Sequence, residues 1–265
     1  MRIKTVPASQ AAAWLNASLQ FLRTADVSIW TPPVLLALIL NLPYLANLFS
    51  IGIVFFLSAI LIGYQNRTKT SLFAAFKDGI WRRLIPLFSV HFLFSLLLLT
   101  AISPALTPLM AAAEAGKELS RSELMPILNQ LVDSMLWFIP AILVMNWLTF
   151  FYLPLASFTQ QSGFAIFKYA LSALFKNITA LVLYSLLLII FIFVLSIGLS
   201  LLTLIIKTVA LYSAVIGQIL LILMHVGVTA LLLAFLSANM LFAFRDVFQD
   251  DAPETNADDA SEILL

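Results

Sequence analysis

The sequence from Ser71 to Leu99 reads SLFAAFKDGIWRRLIPLFSVHFLFSLLLL, and much of the chain repeats its plan. A short amphipathic piece comes first, the basic residues Arg82 and Arg83 follow, and an apolar run then extends from Leu84 to Ser103. At about 1.5 Å per residue, this run is long enough to cross the ~30 Å hydrocarbon core of a bilayer. Arginine side chains reach lipid headgroups from such positions. The stretch therefore predicts an interfacial helix that leads into a membrane-spanning helix, an arrangement that we call an elbow.

Composition indicates that the whole chain belongs in a membrane. Hydrophobic residues make up 62% of the 265 residues and charged residues only 10%, which is more apolar surface than a soluble fold of this length can bury. A net charge of +1 indicates neither nucleic-acid binding nor an acidic substrate. With no Cys and only two His, thiolate sites and disulfides are excluded, and we expect neither a metal nor a cofactor.

The apolar runs predict an all-α, polytopic transmembrane helix bundle of about six spans with interfacial amphipathic helices. The predicted spans are 27–47, 49–64, 84–103, 134–158, 177–206 and 210–244. The last two runs are longer than one crossing requires, so tilt, interfacial ends or a break near Gly198 must absorb the excess. Three short spans in place of these two are an open alternative.

Residues 104–133 are the one long segment between predicted spans, and we expect an outer loop there. Ser120 and Glu123 fit a capping box, and apolar residues then recur at i, i+3, i+4 and i+7 from Leu124. This pattern predicts a short amphipathic helix that lies on the membrane surface.

The distribution of Lys and Arg predicts the orientation. With six spans, eleven of the 14 basic residues fall on one side, and only Lys117, Arg121 and Lys207 fall on the other. Cytoplasmic loops carry the excess of Lys and Arg, so both termini are predicted to be cytoplasmic. The tail, residues 246–265, contains seven acidic and no basic residues, a composition typical of a disordered, solvated segment.

Three segments share the elbow pattern of an apolar face, a terminal cation and a following span. They are Ala17–Arg23, Ser71–Lys77 and Ala170–Lys176. A threefold duplication explains this pattern, and so does the ordinary placement of Lys or Arg before a span. The cations expected to contact lipid headgroups are Arg23, Lys77, Arg82, Arg83, Lys176 and Arg245. Membrane lipids are the expected partners, and the elbows and the acidic tail are surfaces where a protein partner could bind.

Several short motifs along the chain resemble an uncharacterised family of bacterial inner-membrane proteins. They are Val6-Pro7-Ala8, Trp14-Leu15, the pattern from Phe21-Leu22-Arg23 to Trp30, Ala173-Leu174-Phe175-Lys176-Asn177, and Phe242-Ala243-Phe244-Arg245-Asp246-Val247-Phe248. The chain departs from the family at Ala12 and Ala17, where such relatives usually carry Gly. The resemblance implies a six-helix bundle in the bacterial cytoplasmic membrane and supplies no reaction.

Polar side chains inside the spans are the candidate functional residues, because they are costly to place in lipid and often have a function there. They are Asn41, His91, Asn146, Gln218, His225 and Asn239.

The depth of each histidine in the membrane is counted from the nearest predicted cytoplasmic basic residue, and His91 lies eight residues from Arg83. His225 lies twenty residues from Arg245. Their depths then differ by roughly 18 Å, so we do not expect one haem or metal to bind both. For the amides, a hydrogen bond to a neighbouring helix is the commoner role.

No enzyme motif is present, and no span contains a central Asp or Glu for proton coupling. Small residues at Ala230, Ala234 and Ala238 permit close helix packing or a homo-oligomer face.

Two non-enzymatic functions are consistent with these features of the sequence. The first is a binding, scaffold or lipid-organising bundle, in which the polar residues pack pairwise without water. The alternative is a permease or exporter for a small or amphipathic molecule, in which the same residues line a hydrated cavity.

Overall fold

The computed structural model describes residues 3–42, 53–68, 70–77, 79–116 and 120–248, and within these ranges the chain is all-α, which confirms the predicted fold class. The helices of the described ranges are α1 Gln10–Thr24, α2 Val27–Leu40, α3 Ile53–Asn66, α4 Ala74–Lys77, α5 Ile80–Glu114, α6 Arg121–Phe158, α7 Gly163–Lys176, α8 Ile178–Tyr212 and α9 Ala214–Phe248.

Among the described residues, four helices are long and apolar enough to cross a membrane: α5, α8, α9 and the part of α6 from Phe138 to Phe158. The number rises to five if α1 and α2, which meet at a bend of 106°, form one broken span. Helix α3 has 14 residues, and its length of about 21 Å is less than the ~30 Å hydrocarbon core. The predicted six spans are therefore not confirmed, and residues 43–52, which include the end of the first predicted span and the start of the second, lie outside the described residues.

The described residues between 104 and 133 lie mostly in two long helices, and the position of this segment outside the membrane stays a prediction. Helix α5 continues through Pro104 and Pro108 to its end at Glu114, and α6 runs without a break from Arg121 to Phe158. The prediction of a separate surface helix after residue 120 is wrong. The physical reason is that the sequence between Leu131 and Phe138 contains no Gly or Pro that would end the helix.

The predicted capping box at the start of α6 is confirmed. The Ser120 side chain accepts a hydrogen bond from the backbone N–H of Glu123. In return, the Glu123 carboxylate accepts one from the Ser120 N–H at 2.9 Å. These reciprocal bonds satisfy donors that have no partner within the helix, so a local sequence signal located this helix start correctly.

The apolar runs after residue 177 form two helices and not three. Helices α8 and α9 have 35 residues each, or about 52 Å of length, and α8 passes Gly198 without a break. The turn between them brings Gly217 very close to Ala210. A Cβ on Gly217 would lie only 2.3 Å from the Ala210 Cβ, so the turn leaves no room for a side chain there. The excess apolar length is carried by two long helices.

Long helices pair as two hairpins, α5–α6 and α8–α9, which share one end that we call the basal end. There α5 and α8 begin, and α6 and α9 finish. Fully or nearly fully buried side chains are concentrated at this end, in 147–156 of α6 and 230–248 of α9. The other halves of the hairpins carry many exposed apolar side chains, which suits contact with lipid tails. The protein core therefore lies at the basal end.

The helices of the three predicted elbows pack against the long helices in two ways. Helix α7 packs on α5 and α6, the pair that precedes it, and α1 packs on α8 and α9, the last pair. Helix α4 packs on α3, which precedes it, and on α5, which follows it. The threefold duplication stays a prediction.

The segment from Lys4 to Val6 is held at the basal end. The Lys4 N–H donates to the Val247 carbonyl at 2.9 Å, and the Val6 N–H donates to Asn177 Oδ1 at 2.8 Å. The Asn177 side-chain amide donates in turn to the carbonyls of Lys4 at 3.1 Å and Ala173 at 3.0 Å. Asn177 is completely buried, so this segment belongs to the folded core.

Asp246 is not part of a solvated tail, which corrects the predicted boundary at residue 246. It lies in α9, and its Oδ2 accepts hydrogen bonds from Gln10 Nε2 at 2.6 Å and Trp14 Nε1 at 2.7 Å. Both donors lie on α1, so Asp246 joins α9 to α1 through hydrogen bonds. Residues 249–265 lie outside the described residues, so disorder there stays a prediction.

Replacing Gly163 with Ala is expected to lower stability by about 1–3 kcal/mol, the range for overpacking a filled site. A Cβ there would lie 2.8 Å from Pro86 Cγ and 3.1 Å from the Arg83 carbonyl oxygen, and neither atom belongs to a flexible side chain. The thermal midpoint of unfolding in lipid nanodiscs measures the effect.

The matched control is Gly198→Ala, because a Cβ at Gly198 meets no atom within 4 Å. This exposed helical position should gain about 0.5–1 kcal/mol, the helix-propensity difference between Gly and Ala. A fall in midpoint of the same size for both variants would contradict the close approach of α7 to α5.

Candidate binding cavity

A cavity of about 720 Å³ lies among α3, α5, α6, α8 and α9. Small-molecule sites usually have about 300–1,000 Å³, so this one is large enough for a ligand. Most of its described lining residues are apolar, and no Asp, Glu, Lys or Arg is among them. The cavity lies on the buried basal core, between the two hairpins.

Two of the six predicted polar residues, His91 and Asn146, line this cavity together. His91 Nε2 lies 2.7 Å from Thr149 Oγ1, and the Thr149 hydroxyl also lies 2.8 Å from the Met145 carbonyl oxygen. These contacts join α5 to α6 through a chain of hydrogen bonds. The pairing fixes the position of the imidazole at the cavity wall.

Asn146 and Ser95 supply further polar groups to the cavity. Both line it, both are exposed in the absence of lipid or ligand, and neither side chain forms a hydrogen bond to another described residue. Ser95 lies four residues after His91 on α5, so the two share a helix face. His91, Ser95 and Asn146, which we call the polar patch, therefore supply polar groups to a mostly apolar lining, a combination that suits an amphipathic molecule.

The floor of the cavity connects it to the basal end. The Trp147 indole N–H donates to Ser185 Oγ at 2.8 Å and links α6 to α8. Beside it, the rings of Phe150 and Tyr184 lie 4.9 Å apart, and the Trp14 ring lies 6.1 Å from Phe150 and 6.4 Å from Tyr184. Helix α1 therefore packs against the basal side of the cavity.

The other four predicted polar residues lie elsewhere. The Asn41 amide donates to the Ala37 carbonyl at 2.8 Å and to Thr229 Oγ1 at 3.3 Å, which ties α2 to α9. Asn239 is completely buried and donates to the Phe235 carbonyl at 2.7 Å. Asn41 therefore bonds to a neighbouring helix, as the sequence predicts for the amides, whereas the Asn239 bond stays within α9.

Gln218 and His225 are exposed on α9 and are not among the described lining residues. His225 Nδ1 lies 2.7 Å from the Leu221 carbonyl oxygen, one helical turn earlier on the same helix. His91 has its own partner on α6. The structure therefore gives the two histidines separate partners and does not place them on one ligand.

Three of the predicted headgroup anchors are exposed: Arg23, Arg82 and Lys176. The Arg82 guanidinium lies 5.4 Å from the centre of the Trp81 ring, a pairing that suits an interfacial position. The side chain of Lys77 lies outside the described residues. Lipid contact by these four cations stays a prediction.

Arg83 and Arg245 bind protein groups instead of projecting freely. The Arg83 guanidinium donates to the Thr159 carbonyl and to Gln160 Oε1, which joins the start of α5 to the end of α6. Arg245 donates to Gln65 Oε1 at 3.1 Å and joins α9 to α3. Both arginines therefore hold helices together at the basal end, a role that the sequence did not predict.

Sequence reasoning did not assign Thr149, Trp147, Ser185 or Tyr184 to a site. Single hydroxyl and aromatic residues are common in apolar helices, so none of them stood out. One signal was available: Thr149 lies three residues after Asn146, on the same helix face.

No family model, curated protein or solved structure matches the chain. The resemblance to bacterial inner-membrane proteins therefore stays a prediction.

Proposed function

We propose that the chain is an integral membrane protein that binds an amphipathic, lipid-like molecule in the cavity between its two hairpins and does not transform it. One observation carries this proposal, namely the cavity of about 720 Å³ with apolar walls and a polar patch at His91 and Asn146. An apolar chain would lie along the walls, and a polar head would bond to the patch. The cavity would be filled from the bilayer, where such molecules are concentrated.

The proposal combines features of both sequence hypotheses. Asn41 joins α2 to α9 through its hydrogen bond to Thr229, which favours a packed binding bundle. His91 and Asn146 line one cavity, which favours a site for a small or amphipathic molecule. A bundle that holds a ligand accounts for both observations.

For its location, we propose the bacterial cytoplasmic membrane with both termini in the cytoplasm. The support is the excess of Lys and Arg on one side of the predicted spans. Arg82, Lys176 and Arg245 lie at or beside helix ends that meet at the basal end. We therefore assign the basal end to the cytoplasmic side.

Photocrosslinking tests the cavity directly. The probe is hexadecanol with a diazirine in its chain, added to the protein in nanodiscs, and mass spectrometry identifies the labelled peptides. We expect label in α5 near Ser95 and in α6 near Asn146. Ser95→Trp should reduce this label several-fold, because the indole occupies volume that the chain needs.

The matched control is Ser89→Trp, since Ser89 is exposed on the same helix and is not among the described residues that line the cavity. It should leave the label near Asn146 unchanged. Equal labelling of both Trp variants at these peptides would show that the probe contacts the outer surface of the helices and not the cavity.

A second candidate function is passage of the molecule across the bilayer. The observation that favours it is the presence of three prolines inside each of α5 and α6, because proline weakens helix hydrogen bonding and permits bending. Liposomes with a fluorescent lipid in the inner leaflet provide the readout. Faster exposure of this lipid to an external quencher, abolished by Ser95→Trp but not by Ser89→Trp, would favour transport over binding alone.

A further inference from the structure

The polar patch of the cavity indicates which head group it binds, an inference that rests on the proposed function. Thr149 has one hydroxyl proton and two close neighbours, His91 Nε2 at 2.7 Å and the Met145 carbonyl oxygen at 2.8 Å. A carbonyl oxygen only accepts. Both contacts are hydrogen bonds only if Thr149 donates to Met145 and His91 Nε2–H donates to Thr149.

This arrangement fixes the tautomer of His91. A neutral imidazole has one donor and one acceptor nitrogen, so a proton on Nε2 leaves Nδ1 with a free lone pair. Nδ1 forms no hydrogen bond with another described residue. The described lining of the cavity contains no carboxylate to balance an imidazolium, and an unpaired charge is costly in an apolar site. His91 therefore presents an acceptor.

We infer that the cavity selects an uncharged amphipathic molecule whose head group donates a hydrogen bond to His91 Nδ1, such as the hydroxyl of a long-chain alcohol. The Asn146 amide and the Ser95 hydroxyl both donate and accept, so they can bond to the oxygen of the same head group. A head group that only accepts, such as an ether, would leave Nδ1 without a partner. Thr149 is the positioning residue, since it acts through the imidazole.

The first test is spectroscopic and needs no ligand. The chain has only two histidines, so 15N-histidine labelling gives two imidazole signal sets in nanodiscs. His91 should carry its proton on Nε2. His225 should carry it on Nδ1, because its neighbour at 2.7 Å is the Leu221 carbonyl oxygen, and it serves as the internal control.

Thr149→Val tests the positioning role, because valine has the shape of threonine without the hydroxyl. It should shift the His91 signals toward a mixture of tautomers and leave the His225 signals unchanged. If wild-type His91 carries its proton on Nδ1, or on both nitrogens at neutral pH, the inference is overturned.

The second test compares two competitors of the hexadecanol probe, hexadecanol itself and its methyl ether. Their chains are the same, and only the alcohol donates. The alcohol should compete about three- to tenfold better, which corresponds to one net hydrogen bond. His91→Gln should remove this preference, because the glutamine amide can still reach Thr149 but has no group at the Nδ1 position.

The outcomes separate the inference from the proposed function. Equal competition by the alcohol and the ether in the wild-type protein overturns the inference and leaves the cavity as a binding site. If neither competitor reduces labelling of the cavity, the proposed function fails as well. A preference for the alcohol that persists in His91→Gln overturns the role of Nδ1.

Discussion

Replacing Asn177 with Asp is expected to lower the stability of the protein by about 3–5 kcal/mol, the range for an uncompensated buried charge. The Asn177 amide donates to the carbonyls of Lys4 at 3.1 Å and Ala173 at 3.0 Å. A carboxylate would place an oxygen opposite these two acceptors in a position with no solvent exposure. The thermal midpoint in nanodiscs and the rate of tryptic cleavage after Lys4 measure the loss.

Asn16→Asp is the matched control, since Asn16 is exposed on α1 and undergoes the same chemical change. Exposed substitutions usually change stability by less than about 0.5 kcal/mol, so its midpoint should stay close to that of the wild type. Cleavage after Lys4 should accelerate only in Asn177→Asp. Indistinguishable midpoints for the two variants would show that the N-terminal segment contributes little to the fold.

The membrane helices could be predicted from the sequence because their signal is local. A long apolar run predicts a helix wherever it occurs, and the Ser120 and Glu123 pair located the start of α6. Helix ends were harder to place, since Pro104 and Pro108 stand inside α5 and not at its end. In lipid the apolar side chains stay buried on every face of a helix, so composition gives little information on where the helix stops.

Pairing between distant residues could not be predicted in the same way. His91 and Asn146 line one cavity because α5 and α6 pack side by side in one particular register, which no spacing within either helix specifies. The sequence pattern predicts Asp246 as part of the acidic tail, because six other acidic residues follow it. Its two partners on α1 lie more than 230 residues away in the chain, and no local pattern points to them.

Replacing Asp246 with Leu is the second change with a large expected effect, a loss of about 2–4 kcal/mol. A hydrogen bond to a charged group contributes about 1.5–3 kcal/mol, and two bonds that share one carboxylate oxygen contribute less than twice that amount. The substitution removes the acceptor for Gln10 and for Trp14, and the Trp14 side chain is only 1% exposed. Asp133→Leu, an exposed acidic site on α6, is the control for the change in charge and hydrophobicity.

The same variant tests whether the basal end supports the cavity. Trp14 contacts Phe150 and Tyr184 in the cavity floor, so an indole without its Asp246 partner should loosen that floor. We expect Asp246→Leu to weaken hexadecanol labelling near Asn146 at temperatures where the helices are still folded by circular dichroism. Trp14→Phe retains an aromatic ring but has no N–H to donate to Asp246. The substitution should therefore lower stability less in the Asp246→Leu variant, where that hydrogen bond is already lost, than in the wild-type protein. If Asp246→Leu lowers stability but leaves the labelling near Asn146 unchanged, the contact of α1 with Asp246 does not support the cavity, and Asp246 contributes to stability alone.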